Sequence, residues 1–373
     1  MSPDSLPAMK DLLHCKTQAE LFDKLAHLRC QPPLSIRVFV GGSKEPVQEL
    51  ARRCSPFPLR IRDMNDFSVG EFSYSAGELR LNGAVFFCPT PRTAITYLIS
   101  VCSGIVWQRS VLRLAHSLYP KLVPVFFSQR ELLNLLKQAK RILPDSELRI
   151  IGHTRKKRLK AGSRRKYESS RTRTEKPLEV VFTETEEQSY WFNSVSFEYL
   201  RSVQGIPQDD ATLASATLSK YGTFFCTSHF DRFLHGTLND MAAIAEEKMK
   251  FFSNRSRRLT PRFEPHPISI TYDSPEFVSL TDSKNFVSIM RRMPRISCSV
   301  LHDNPYVHLS VVDSTDGSAA DVWVLKNDEI LLVPQLKASE AALKRFVNYI
   351  FEEWREGSVA SPTPADAIQP PAA

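Results

Sequence analysis

The sequence predicts an α+β protein of two mixed domains, with α/β as the alternative for the N-terminal half. Three observations carry this. Strand-like alternation and helix-like periodicity interleave along the whole chain. The strands come in short meanders punctuated by Gly, Pro and Asn-Gly, not in a strict strand–helix–strand order. A basic stretch with little apolar content, 153–177, separates two halves that each hold a meander and packed helices. The 373 residues suit two domains. They are read as 1–152 and 178–357, joined by the basic stretch as a solvated loop. The tail 358–373, rich in Pro and Ala, cannot bury enough apolar surface to order itself and is read as disordered.

In the first half, Thr17-Gln18-Ala19-Glu20 is a capping box, and Leu21, Phe22, Leu25 and Leu28 follow at helical spacing until Pro32-Pro33. Ser35–Val40 alternates as a strand and runs into Gly41-Gly42. Pro46–Cys54 reads as a helix with proline at its first position, and Leu59–Ile61 as a short strand. Phe72 and Tyr74, then Leu79 and Leu81 after a turn at Ala76-Gly77, then Ala84–Cys88 form a meander, with Asn82-Gly83 as a type I′ hairpin turn. A long helix is expected over Thr93–Leu118. Leu122–Phe127 reads as an edge strand because of Pro124. Ser128-Gln129-Arg130-Glu131 is a second capping box, with Leu132, Leu136, Ala139 and Leu143 on one face. Leu148–Ile151 is a further strand.

In the second half, strands are expected at Leu178–Phe182, Trp191–Phe197 and Gly222–Cys226. A long helix begins near Ser228 and carries Phe230, Phe233, Leu234, Leu238, Met241, Ala245 and Phe252. Ile268–Thr271 is a strand and Ser283–Arg292 a short helix. Tyr306–Val312, Asp321–Leu325 and Ile330–Val333 form a second meander. Leu343, Phe346, Val347, Ile350, Phe351 and Trp354 trace the stripe of a final amphipathic helix.

Seven cysteines, an odd number with no CxxC pair, exclude zinc ribbons and thioredoxin-type redox motifs. They read as free thiols in a reducing compartment: cytoplasmic, or nuclear in a eukaryote. The most apolar run, Ile95–Trp107, is thirteen residues with polar interruptions, short of the roughly 20 that a spanning helix needs. The chain is therefore read as soluble, with no membrane partner.

Charge is the strongest functional signal. The chain carries 49 Lys and Arg against 41 Asp and Glu, a net +8. Between Arg155 and Lys176 stand eleven basic residues and two acids, so the remainder of the chain is close to neutral. Arg155, Lys156, Lys157, Arg158, Lys160, Arg164, Arg165, Lys166, Arg171 and Arg173 are the candidate phosphate contacts, since each cation that pairs with a phosphate releases a counterion. Tyr167 offers one stacking face. Arg255, Arg257, Arg258 and Arg262 form a smaller basic cluster, and Arg291, Arg292 and Arg295 a third. Lys157-Arg158-Leu159-Lys160 also fits a short nuclear address.

Catalytic signatures are weak. The Gly41-Gly42 turn lacks the phosphate-loop spacings, and Asp63 and Asp66 stand three apart, on opposite faces of a strand. His308 with Asp313 and Asp316 is the one cluster that would suit a metal-dependent phosphoesterase or nuclease, but it matches no established spacing. No cofactor and no metal are expected. The reading is a non-catalytic protein that binds DNA or RNA through a flexible basic segment, largely without sequence preference. The first alternative is a structural or interaction subunit whose basic arm docks an acidic protein partner. The second is the phosphoesterase or nuclease.

Overall fold

The structure, a computed structural model, describes residues 10–92, 94–144, 146–158, 167–188, 190–201, 212–256, 266–304 and 306–362; for 155–158, 167–170, 185–188 and 190 it describes the backbone alone. The chain divides into two compact units, Met1–Glu246 and Glu247–Ala373.

The first unit is built on one antiparallel sheet. Its strands are β1 (Leu34–Gly42), β2 (Leu59–Asp63), β3 (Ser68–Ala76), β4 (Leu79–Pro89), β5 (Ile95–Ser103), β6 (Val123–Pro124), β7 (Ser146–Arg158), β8 (Tyr167–Pro177), β9 (Tyr190–Arg201), β10 (Thr212–Ser219) and β11 (Thr223–Cys226). They lie in the order β2-β3-β4-β5-β1-β11-β10-β9-β7-β8, with β6 on the end of β1. Every pairing is antiparallel. The fold is α+β, and the α/β alternative for the N-terminal half falls, because that class needs a parallel sheet. Its helices are α1 (Gln18–His27), α2 (Val47–Cys54), α3 (104–117, with a π-helical turn at Gln108–Leu112), α4 (Gln129–Ala139), α5 (Leu178–Gln188) and α6 (230–253).

Both expected capping hydroxyls act as such: Thr17 accepts from the Glu20 amide, and Ser128 from that of Glu131. Three local expectations fail for physical reasons. The segment expected as one long helix from Thr93 splits into β5 and α3. Its β-branched Ile95, Thr96, Ile99 and Val101 favour strand, and burial on both faces of β5 hides the alternation. The turn expected at Ala76-Gly77 forms, with Gly77 at φ +65°, but the one expected at Asn82-Gly83 does not. Gly83 instead lies opposite Phe72, whose ring would come within 2.9 Å of any Cβ there. The run Leu178–Phe182 is helix, not strand: Leu178 and Val181 are buried while Val180 is 43% exposed, the spacing of a helix.

The described residues of the basic stretch are strand, not linker. Residues 146–158 and 167–177 pair as the outer hairpin of the sheet, with Arg155 opposite Ser170 and Arg158 opposite Tyr167. The alternation Arg171-Thr172-Arg173-Thr174 is a strand pattern with no apolar face, which an edge position tolerates. The units part between Glu246 and Glu247, within the helical segment Asn239–Ser253, and not at 153–177.

The second unit has a sheet of β12 (Ile268–Thr271), β13 (Ile296–His302), β14 (Val307–Asp313), β15 (Ser318–Lys326), β16 (Glu329–Pro334) and β17 (Ser358–Ala360), in the order β13-β14-β15-β16-β12-β17. Helices α7 (Leu280–Arg291) and α8 (Glu340–Glu353) complete it. The stripe predicted on α8 is buried throughout, and beyond it Trp354 stacks on Phe277 with centroids 5.1 Å apart. Residues 358–360, expected in a disordered tail, pair with β12; residues 363–373 lie outside the described residues.

Candidate nucleic-acid interface

Strand alternation divides the large sheet into two faces. On one face Ile36 and Val38 of β1, Phe224 and Cys226 of β11, Ala216 and Leu218 of β10, and Val195, Phe197 and Tyr199 of β9 are buried. This face packs on α4 and α6: the Tyr199 hydroxyl donates to the Ala139 carbonyl at 2.6 Å, and Phe233 lies 5.1 Å from Phe224 and 5.9 Å from Tyr199.

The opposite face changes character along the sheet. Over β4, β5 and β1 it is apolar, with Phe87, Leu98, Cys102 and Phe39 packed against Trp107, Val111 and Leu114 of α3. Trp107 meets Phe225 of β11 edge-on at 5.8 Å. From β10 outward the side chains are mostly polar, with Ile151 and Leu200 as apolar exceptions. One cross-strand row runs Arg37, Phe225, Thr217, Ser196, Gly152, Arg173, and its Ser196 and Thr217 hydroxyls are 2.9 Å apart. A second runs Ser215, Glu198, Arg149, and a third Ser194, Thr154, Arg171. Apart from Ser215, these residues line a groove of about 1060 Å³, walled by Gly104 and Gln108 on one side and by β8 on the other.

The charges on this groove are Arg37, Arg149, Arg171 and Arg173 against Glu175 and Glu198. Arg171, Arg173 and Glu175 are exposed. Burial raises the Glu198 carboxyl above its ordinary pKa, Arg149 opposing and Glu175 adding to the shift. That acid thus loses its charge at a higher pH than an ordinary glutamate. Cations at the rim and hydroxyls on the floor are the groups that contact phosphate and sugar, and they carry little base information.

Of the residues predicted from charge, Arg171 and Arg173 line this groove. Arg155, Lys156, Lys157 and Arg158 continue β7 beyond it, with their side chains outside the description. Lys160, Arg164, Arg165, Lys166, Arg257, Arg258 and Arg262 lie outside the described residues. Arg255 belongs to the second unit and is spent on structure. It is 9% exposed, stacks 3.5 Å over Phe251, donates to the Phe251 carbonyl and reaches Ser361. Arg37 and Arg149 were missed. Their signal was a lone cation between buried apolar neighbours, Ile36-Arg37-Val38 and Leu148-Arg149-Ile150.

The phosphoesterase cluster does not assemble. His308 and Asp313 lie on opposite faces of β14. The His308 ring stacks on Trp323 with centroids 3.5 Å apart and faces Asp321 at 3.7 Å. Burial lowers its pKa, partly offset by Asp321. Asp313 is fully buried, pairs with Arg345 at 2.6 Å and accepts the Thr315 amide. Asp316 accepts from Ser339 and from the Ser318 amide, which joins the β14–β15 turn to the start of α8. Among the described residues no three His, Cys, Asp or Glu side chains converge as a metal site, and no helix is long and apolar enough to cross a membrane. No known protein family and no curated protein matches this chain.

Proposed function

We propose that the protein binds nucleic acid across the polar face of its large sheet, with little dependence on sequence, and that the β7–β8 hairpin supplies most of the phosphate contacts. One observation carries the reading: strand pairing sets Arg149, Arg171 and Arg173 along one side of a hydroxyl-floored groove whose other side ends at Arg37. Six strands, five spacings of about 4.8 Å, separate the two sides by roughly 24 Å, the scale of a polynucleotide. Four consecutive cations, Arg155–Arg158, extend the same hairpin. Seven free cysteines support an intracellular setting, cytoplasmic or nuclear.

The test is binding of fluorescent duplex DNA, single-stranded DNA and RNA across a salt series. Log affinity should fall steeply with log salt in the intact protein, and the R149Q/R171Q/R173Q variant should flatten that slope. If the intact protein binds none of the three polymers near physiological salt but captures an acidic polypeptide, the groove serves a protein partner and this reading is wrong.

A further inference from the structure

Arg37, like the buried Arg255 of the second unit, has no carboxylate partner among the described residues, and unlike Arg255 it lines the groove. Arg92 pairs with Glu246 and Arg345 with Asp313, and even the more exposed Arg52, Arg53 and Arg62 have carboxylate partners. Among the described residues no carboxylate lies within ion-pair distance of Arg37. It stands in the middle strand of the sheet between Ile36 and Val38, both fully buried. Its guanidinium lies 4.4 Å over the Phe225 ring, and its Nε donates to the Cys102 carbonyl at 3.0 Å. The ring sets the plane of the fork and the carbonyl sets its rotation. Gly104 of the groove wall lies beside it, where a Cβ would come 3.7 Å from Nη2.

Burial pulls the Arg37 pKa down, and the Cys102 and Cys30 thiols beside it, themselves pushed up to about 11 by burial, supply no counter-charge near neutral pH. A guanidinium stays ionised in proteins regardless, so this one bears a desolvation cost with no internal counter-ion. Both terminal nitrogens remain to donate into the groove. A planar fork with its orientation already set loses little entropy on gripping two oxygens of one tetrahedral anion.

We infer that Arg37 is a fixed two-pronged receptor for one phosphate group, carried by the polynucleotide that the groove binds. The exposed Arg171 and Arg173 neutralise neighbouring phosphates without fixing them. The inference rests on the nucleic-acid reading, and its test separates the two.

The full-length protein, R37K, R37Q and R173Q are titrated with a fluorescent duplex across salt. In parallel, the side-chain Nε–H signal of Arg37 is followed by NMR, assigned by its loss in R37K, during titration with duplex and with inorganic phosphate. R37K keeps the charge and loses the fork, so affinity should fall roughly tenfold while the salt slope stays unchanged. R173Q should do the reverse, with a small loss of affinity and a slope shallower by about 0.9. The Arg37 signal should shift with duplex and, at higher concentration, with phosphate. R37K binding as tightly as the parent, with an Arg37 signal that duplex leaves unmoved, overturns the inference and spares the nucleic-acid reading. If no polymer binds while phosphate alone moves the signal, the receptor stands and its ligand is a small phosphate compound. If a folded protein, checked by thermal unfolding, responds to neither, both readings fall.

Discussion

Two polar regions of this molecule use the same residue types to opposite ends. At the corner of the six-stranded sheet, Asp313 pairs with Arg345, and Asp316 ties the β14–β15 turn to Ser339 at the start of α8. Each of these charges has a partner within the fold. In the groove of the large sheet, Arg171 and Arg173 are exposed, and Arg37 lacks a carboxylate partner among the described residues. Acid–base clusters invite a catalytic reading in a sequence. Here the cluster that resembled chemistry holds a turn in place, and the scattered arginines share a surface. Whether a charge is satisfied inside the fold separates the two roles better than its residue type does.

The largest effect is expected at the corner. Asp313→Ala leaves the Arg345 guanidinium and the Thr315 amide without their partner. Removing one member of such a pair costs about 3 kcal/mol. Urea unfolding should show that loss, with nucleic-acid affinity unchanged wherever the protein remains folded. A variant that keeps its stability and loses binding would erase the distinction between the two regions.

The groove should behave in the opposite way. R149Q/R171Q/R173Q removes the three proposed phosphate partners, so the salt slope of duplex binding should become shallower by about 2.7. Stability should change by less than about 0.5 kcal/mol per site, since two of the three side chains are exposed. The salt series and the same urea titration read both quantities. A collapse in stability would mean that these arginines hold the sheet together.

The sequence revealed these regions unequally, for reasons of locality. The stripe of α8 and the alternation of β14–β16 lie within a few turns or residues of chain, so period alone exposes them. β5 was hidden because both its faces are buried, and β8 because neither face is apolar. The cations Arg171 and Arg173 were visible as a charge run. The groove was not, because it is assembled by register between distant segments: Arg37 opposite Phe225, Ser196 opposite Gly152. Nothing local to Arg37 says that β11 will lie beside it. What a sequence does carry is a cation at an outward position in an otherwise buried strand, which marks a face that cannot be wholly core.

The smallest expected effect compares one acid from each region, because their titrations shift in opposite directions. At Asp316 burial works against the charge, but hydrogen bonds from Ser339 and Ser318 and the nearby Lys337 outweigh it, so the pKa lies below the ordinary 3.8. Its stabilisation is therefore complete above 3.8 and lost as pH falls through the lower folded value. Glu198 sits above the ordinary 4.5 because burial opposes its charge. Its neutral form favours the folded state below 4.5, and that contribution is lost as pH rises through the higher folded value. Acidification from neutral should thus first discharge Glu198 and leave the groove more positive, tightening duplex binding while the corner is still intact. Glu198→Gln reproduces that state at neutral pH. Duplex affinity should rise by less than about fivefold, the scale of a single solvent-screened charge, and the mildly acidic gain in binding should disappear from the variant. Persistence of that gain in Glu198→Gln would assign it to another group and remove Glu198 from the comparison.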